Sequence, residues 1–175
     1  MELNKELLEN EITSYLTRVK CYVINRRDLY PSRLTDSQIM EITFHTGANV
    51  EKVLENKFAG YTIKDEEKVK EWEGAKRFDF VISLSTIKTF AKNKGINEVV
   101  ALKSVITHEF VHAVSVGFAL DDTKECYDKD EEFTDFYAEE IFKAICPDSE
   151  YIATRGKTST YATLYNTERN AYFAG

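Results

Sequence analysis

Seven glycines and two prolines are few for 175 residues. Tight turns need those residues, so their scarcity works against a loop-rich fold and favours long regular elements. Basic charge is also short: 23 Lys and Arg stand against 30 Asp and Glu, a net charge of −7 and a pI near 5.1. No Lys/Arg run stands out, and phosphate binding needs a cationic surplus, so nucleic acid is not an expected partner. The cysteines, Cys21, Cys126 and Cys146, are odd in number and unpaired in spacing. A disulfide framework is therefore not expected, and a reducing compartment or a free thiol accounts for them. No run of about 18 apolar residues occurs, which excludes a membrane-spanning helix. Residues 1–12 are charged and amphipathic and lack the apolar centre of a signal peptide. A cytoplasmic protein is expected, or one released without a standard signal peptide.

What is present suits a folded core. Hydrophobic residues make up 43% of the chain and charged ones 30%, with 11 Phe and 10 Tyr, ordinary values for a globular domain. The length fits one compact domain. No repeat, low-complexity stretch or linker divides the chain, so 1–175 reads as a single domain. A helical part over 1–76 comes first, then a strand and two helices over 77–146, then a tyrosine-rich tail over 147–175.

Leu3, Leu7, Leu8, Ile12, Tyr15, Leu16 and Val19 recur at helical spacing and predict a first helix over 2–19. A short extended piece, Cys21 to Ile24, is expected after it. Tyr30-Pro31-Ser32 breaks the chain before a helical stretch opening near Thr35 or Asp36. Residues 36–58 read as one or two short helices interrupted at Thr46-Gly47, and the highly charged 65–73 as a solvated helix or loop. Arg77 to Leu84 is the best strand candidate. Asn97 is a suitable N-cap for a helix from Glu98 to about Val116, with Gly117 as its stop. A further helix is expected from about Lys129 to Ala144, ending before Cys146-Pro147. The tail holds Tyr151, Tyr161, Tyr165 and Tyr172.

Chemistry concentrates in His108-Glu109-Phe110-Val111-His112. On a helix, residues i and i+4 share one face, so both imidazoles can point at one metal ion. Zinc suits two neutral imidazoles with an oxygen ligand. Glu109 lies beside that face, where its carboxylate can take a proton from a metal-activated water. From Val105 to Val114 everything except Thr107, the two histidines and the glutamate is apolar, as in a buried helix. Burying two imidazoles and a carboxylate is costly unless they are hydrogen-bonded or bound to metal. The third histidine, His45, has no partners near it in sequence and reads as a packing residue.

A catalytic zinc needs a third protein ligand. No histidine follows His112, which removes a three-histidine site unless His45 folds back, so a carboxylate from the acidic segment 128–139 is expected: Glu131, Glu132, or Asp135 together with Glu139. Here the chain resembles the gluzincin zinc metallopeptidases, in which His-Glu-x-x-His precedes a glutamate on a downstream helix. Between His112 and Glu131 lie 18 residues (131 − 112 = 19 positions), similar to the aminopeptidase branch; Glu132 would instead match the thermolysin branch. The stretch also resembles the Glu-x-Phe-Ala-Glu-x-Phe motif of lethal-factor-type and Pro-Pro-specific bacterial endopeptidases. It falls here on Glu131, Phe133, Thr134, Asp135 and Tyr137, with Thr for Ala and Asp for the second Glu. The likeness covers residues 105–142.

That resemblance implies an α+β, mainly helical, zincin-like domain with a small sheet and two metal-bearing helices. It implies Zn²⁺ on His108, His112 and Glu131, with Glu109 as general base and Asp135 orienting a ligand histidine. Glu131 and Asp135, at i and i+4, share a helix face. It further implies that Arg77–Leu84 is an edge strand aligning the substrate backbone. Tyr127 is the first candidate for the donor to the oxyanion, with Tyr161 and Tyr165 as alternatives. The expected activity is endopeptidase cleavage of a protein or peptide. The competing expectation is a non-catalytic binding or regulatory module that retains the metal site.

Overall fold

The structure, a computed structural model, describes residues 2–30, 32–55, 57–115 and 124–153; the side chains of 124–130 and 132 fall outside this description. Seven helices and three short strands occur among them: α1 (Lys5–Asn25), α2 (Asp36–Glu41), β1 (Phe44–His45), α3 (Ala48–Leu54), β2 (Gly60–Thr62), α4 (Glu66–Val69), β3 (Phe80–Ile82), α5 (Leu84–Lys94), α6 (Glu98–Val114) and α7 (Lys124–Ile145). The protein is thus mainly helical α+β with one three-stranded sheet. No helix among the described residues is long and apolar enough to cross a membrane.

Helix α1 opens at Asn4, whose side chain accepts from the Leu7 amide, and buries Leu8, Ile12, Tyr15, Leu16, Val19 and Val23. Val23 continues the 3.6-residue stripe, so the extended piece expected at Cys21–Ile24 does not form. Packing of the stripe overrides the local strand preference of that short run. Helix α2 opens as expected at Thr35, through a capping box with Gln38.

The sheet order is β1-β3-β2, with β1 parallel and β2 antiparallel to β3. Strand β3 is therefore central, and its three residues are fully buried. This corrects the expectation for Arg77–Leu84: the strand is shorter, it is no edge, and Leu84 already belongs to α5. Before β3 the chain turns. Phe78 has φ = 77°, and the Asp79 amide donates back to the Lys76 carbonyl.

The Asp79 carboxylate explains why that turn is held. It accepts from the Thr43 amide, the Thr43 hydroxyl, the Lys76 amide and His45 Nε2, the last at 3.2 Å. His45 thus has a partner 34 residues away that its own neighbourhood does not announce. Burial alone would raise the Asp79 pKa, but these bonds outweigh it and hold the carboxyl below its usual value.

Helix α6 lies at the centre, packed against α1, α5, α7, β2 and β3. It opens at Asn97, as the sequence predicts, and 13 of its 17 residues are buried, so hydrophobic burial rather than propensity holds it. Ile106, Phe110 and Val111 are each fully enclosed, a stabilisation of about 1.5–3 kcal/mol apiece. Thr107, the polar residue in the apolar run, pairs its hydroxyl with Tyr15 Oη at 2.7 Å and donates to the Lys103 carbonyl. The Tyr15 bond ties this face of α6 to α1, one residue before the first of the two histidines.

Candidate metal centre

One turn of α6 presents His108 and His112 toward α7, the helix it packs against most closely. The two Nε2 atoms lie 3.1 Å apart. From α7, Glu131 brings its Oε2 to 3.0 Å from His108 Nε2 and its Oε1 to 2.9 Å from His112 Nε2. These three residues are the metal-capable group among the described residues.

The donor set can be tested against zinc. Ligands 2.0–2.1 Å from a tetrahedral zinc stand ~3.3 Å from one another. The two imidazole nitrogens, 3.1 Å apart, would need to open by only a few tenths of an ångström, and each faces one oxygen of the Glu131 carboxylate at 2.9–3.0 Å. Two imidazoles and one carboxylate are also the ligand types of catalytic zinc. The residues fit the ion.

The second nitrogen of His108 is occupied. Nδ1 donates to Asp135 Oδ1 at 2.9 Å, and a carboxylate only accepts, so Nε2 is the atom directed at Glu131 and His112. Asp135 lies one helical turn after Glu131 and is almost wholly buried. Its Oδ1 also accepts from Tyr151 Oη at 2.6 Å. Burial and the nearby Asp135 charge push the Tyr151 phenol well above its ordinary pKa, so it stays a neutral donor.

Metal-free, the cluster binds a proton. Burial would lower the His108 pKa, but hydrogen bonds to Asp135 and Glu131 reverse that and raise it to about 10. Glu131 shows the mirror effect. Burial would raise its carboxyl, while the two histidines hold it far below the usual carboxylate range.

Glu109 points into a cleft of about 590 Å³ that also contains His108, His112 and Glu131 and is walled by β2, Phe58, Phe90 and Val105. Thr62 on β2 donates to Glu109 Oε2 at 2.8 Å. The sheet edge facing this cleft is β2, not the Arg77–Leu84 strand.

Of the residues singled out in sequence, His108, Glu109, His112, Glu131 and Asp135 come together. Glu139 does not join them; it pairs with Lys143 at 2.7 Å. Tyr127 lies on α7, but its side chain and that of Glu132 lie outside the described residues, as do Tyr161 and Tyr165. The tail is described only as far as Ala153. Sequence reading missed Tyr151 and Thr62. Tyr151 was one tyrosine among four in the tail, and Thr62 precedes Glu109 by 47 residues, so no spacing rule reaches either.

Compared with family models, curated proteins and solved structures, the chain finds no match in any of the three.

Proposed function

We propose that the chain is a zincin-like, zinc-dependent metalloendopeptidase. The observation that carries this reading is the convergence of His108 Nε2, His112 Nε2 and the Glu131 carboxylate within 2.9–3.1 Å, in a cleft shared with the Glu109 carboxylate. A structural metal site has no need of that second carboxylate.

A zinc ion held by His108, His112 and Glu131 would supply Lewis-acid chemistry, lowering the pKa of a water and polarising a peptide carbonyl. The residues of the chain do the rest. Glu109 takes the proton from the attacking water and passes it to the departing amine. Asp135 keeps the His108 proton on Nδ1 and so keeps Nε2 free to ligate. Strand β2 borders the cleft as an edge strand and would align an extended substrate backbone by strand addition. Tyr127, four residues before Glu131 and at a spacing that differs from the lethal-factor-type pattern, is the proposed donor to the developing oxyanion. The substrate class is a protein or peptide.

Metal content by plasma mass spectrometry tests the reading, on untagged protein purified without chelator. The native chain should carry about one zinc, and Glu131→Ala should lose most of it. Glu109→Gln should keep the zinc and abolish cleavage of a peptide library. No zinc after reconstitution would overturn the proposal. Zinc with no cleavage by the native chain would leave a binding or regulatory module in its place.

A further inference from the structure

We propose that Thr62 is a positioning residue for the general base: its hydroxyl holds one carboxylate oxygen of Glu109 and leaves the other to accept the proton. The role presupposes the hydrolytic reading of the site. Thr62 Oγ1 lies 2.8 Å from Glu109 Oε2 and 3.0 Å from the Glu109 main-chain carbonyl. A threonine hydroxyl has one proton to give, and the ionised carboxylate is the stronger acceptor. Both side chains are secluded, Thr62 at 3% exposure and Glu109 at 8%.

Strand β2 is built to make this contact. Gly60 stands two residues before Thr62, and alternate residues of a strand share a face. A Cβ at Gly60 would lie 2.8 Å from Glu109 Cγ and 2.9 Å from Val105 Cγ1. The strand therefore approaches α6 this closely because position 60 has no side chain. Gly60 brings the strand down onto the stem of Glu109, and Thr62 then reaches its head.

The consequence is orientational. A glutamate has three rotatable bonds, and a base misplaced by about 1 Å can cost ~100-fold in rate. With Oε2 tied to Thr62, the carboxylate plane is set and Oε1 is left as the acceptor. Among the described residues no other side chain donates a hydrogen bond to Glu109.

The test uses the zinc-loaded full chain carrying Thr62→Val, close in shape but without the hydroxyl, and Thr62→Ser, which keeps it. Two readouts separate this role from a structural one. The first is the split between kcat and KM on a fluorogenic peptide library. The second is calorimetric affinity for acetohydroxamic acid, which gives its hydroxyl proton to the base, binds zinc as acetohydroxamate and needs no turnover. Thr62→Val should keep its zinc and its KM, lose ~10–100-fold in kcat and bind acetohydroxamate more weakly. Thr62→Ser should stay within ~3-fold of the native chain in both. If valine disturbs folding, Thr62→Ala takes its place. Unchanged kcat and acetohydroxamate affinity in Thr62→Val would overturn the assignment, as would equal loss in the serine variant or loss of zinc. A native chain that binds zinc and acetohydroxamate but cleaves nothing would sink only the peptidase reading, with the hydroxamate series still deciding on Thr62. A chain that binds no zinc would overturn both.

Discussion

At the scale of single residues, the site is a sequence of hydrogen bonds running outward from the proposed metal position: His108 to Asp135, and Asp135 to Tyr151. Outer partners of ligand histidines fix the tautomer and raise ligand basicity, and losing one typically weakens metal binding 10–100-fold. Asp135→Asn should therefore weaken zinc binding by ~10–100-fold in a chelator-competition titration. Tyr151→Phe removes only the outermost hydroxyl and should act in the same direction by less, ~10-fold at most. Equal affinity in Asp135→Asn and the native chain would show that His108 needs no partner to ligate. The inner part of this arrangement was legible in sequence, because His108 with His112 and Glu131 with Asp135 are each one helical turn apart. The outer part was not. Tyr151 reaches Asp135 through the path of the chain after α7, and Thr62 reaches Glu109 through the packing of a strand on a helix.

At the scale of elements, what could be read followed the range of the forces involved. Helix α6 was legible from its Asn97 cap and its apolar run because both signals are local. The place of Phe80–Ile82 in the sheet was not, since strand order depends on which segments return to pair with it. Residues Phe44–His45 and Gly60–Thr62 are too short to announce themselves as strands, yet they flank β3 on both sides. Asp79 is the tie that lets so small a sheet persist. Its carboxylate serves four donors: two from Thr43 just before β1, one from His45 in β1 and one from the turn before β3. Asp79→Ala would strand several of them in a buried setting, at about 1–3 kcal/mol for each buried donor left unsatisfied. Urea denaturation should show a loss of about 3 kcal/mol, reduced where water reaches the donors. Zinc content should not change, because none of the residues that the tie joins is a proposed ligand. Because the Asp79 pKa is depressed in the fold, its stabilisation is present above the ordinary aspartate value and disappears as the pH falls below it.

At the scale of the whole molecule, the proposed metal position is where α6 and α7 meet, so a metal bound there would be linked to folding and to proton binding. Without metal, Glu109, Glu131 and Asp135 crowd around two imidazoles, and the raised His108 pKa of about 10 means that a proton takes the place of a cation. A group whose pKa is raised by folding stabilises the native state fully below its unfolded value, 6.5 for histidine, and that contribution is lost as pH climbs through the folded value. The chelator-treated protein should therefore melt at progressively lower temperature between pH 7 and about 10, as the imidazolium becomes neutral. The zinc-loaded protein should lack this decline, because the ligated imidazole is already neutral and keeps only its Nδ1 proton, held by Asp135. Ligation must also expel that proton, so zinc binding at pH 7 should release about one proton per site from His108. Calorimetry in buffers of different ionisation enthalpy counts it. A melting temperature of the metal-free chain that stays flat from pH 7 to 10, together with no proton release on adding zinc, would mean that His108 is neutral before the metal arrives. The bonds to Asp135 and Glu131 would then be orienting an imidazole rather than holding an imidazolium, and the site would be preorganised for zinc without a competing proton.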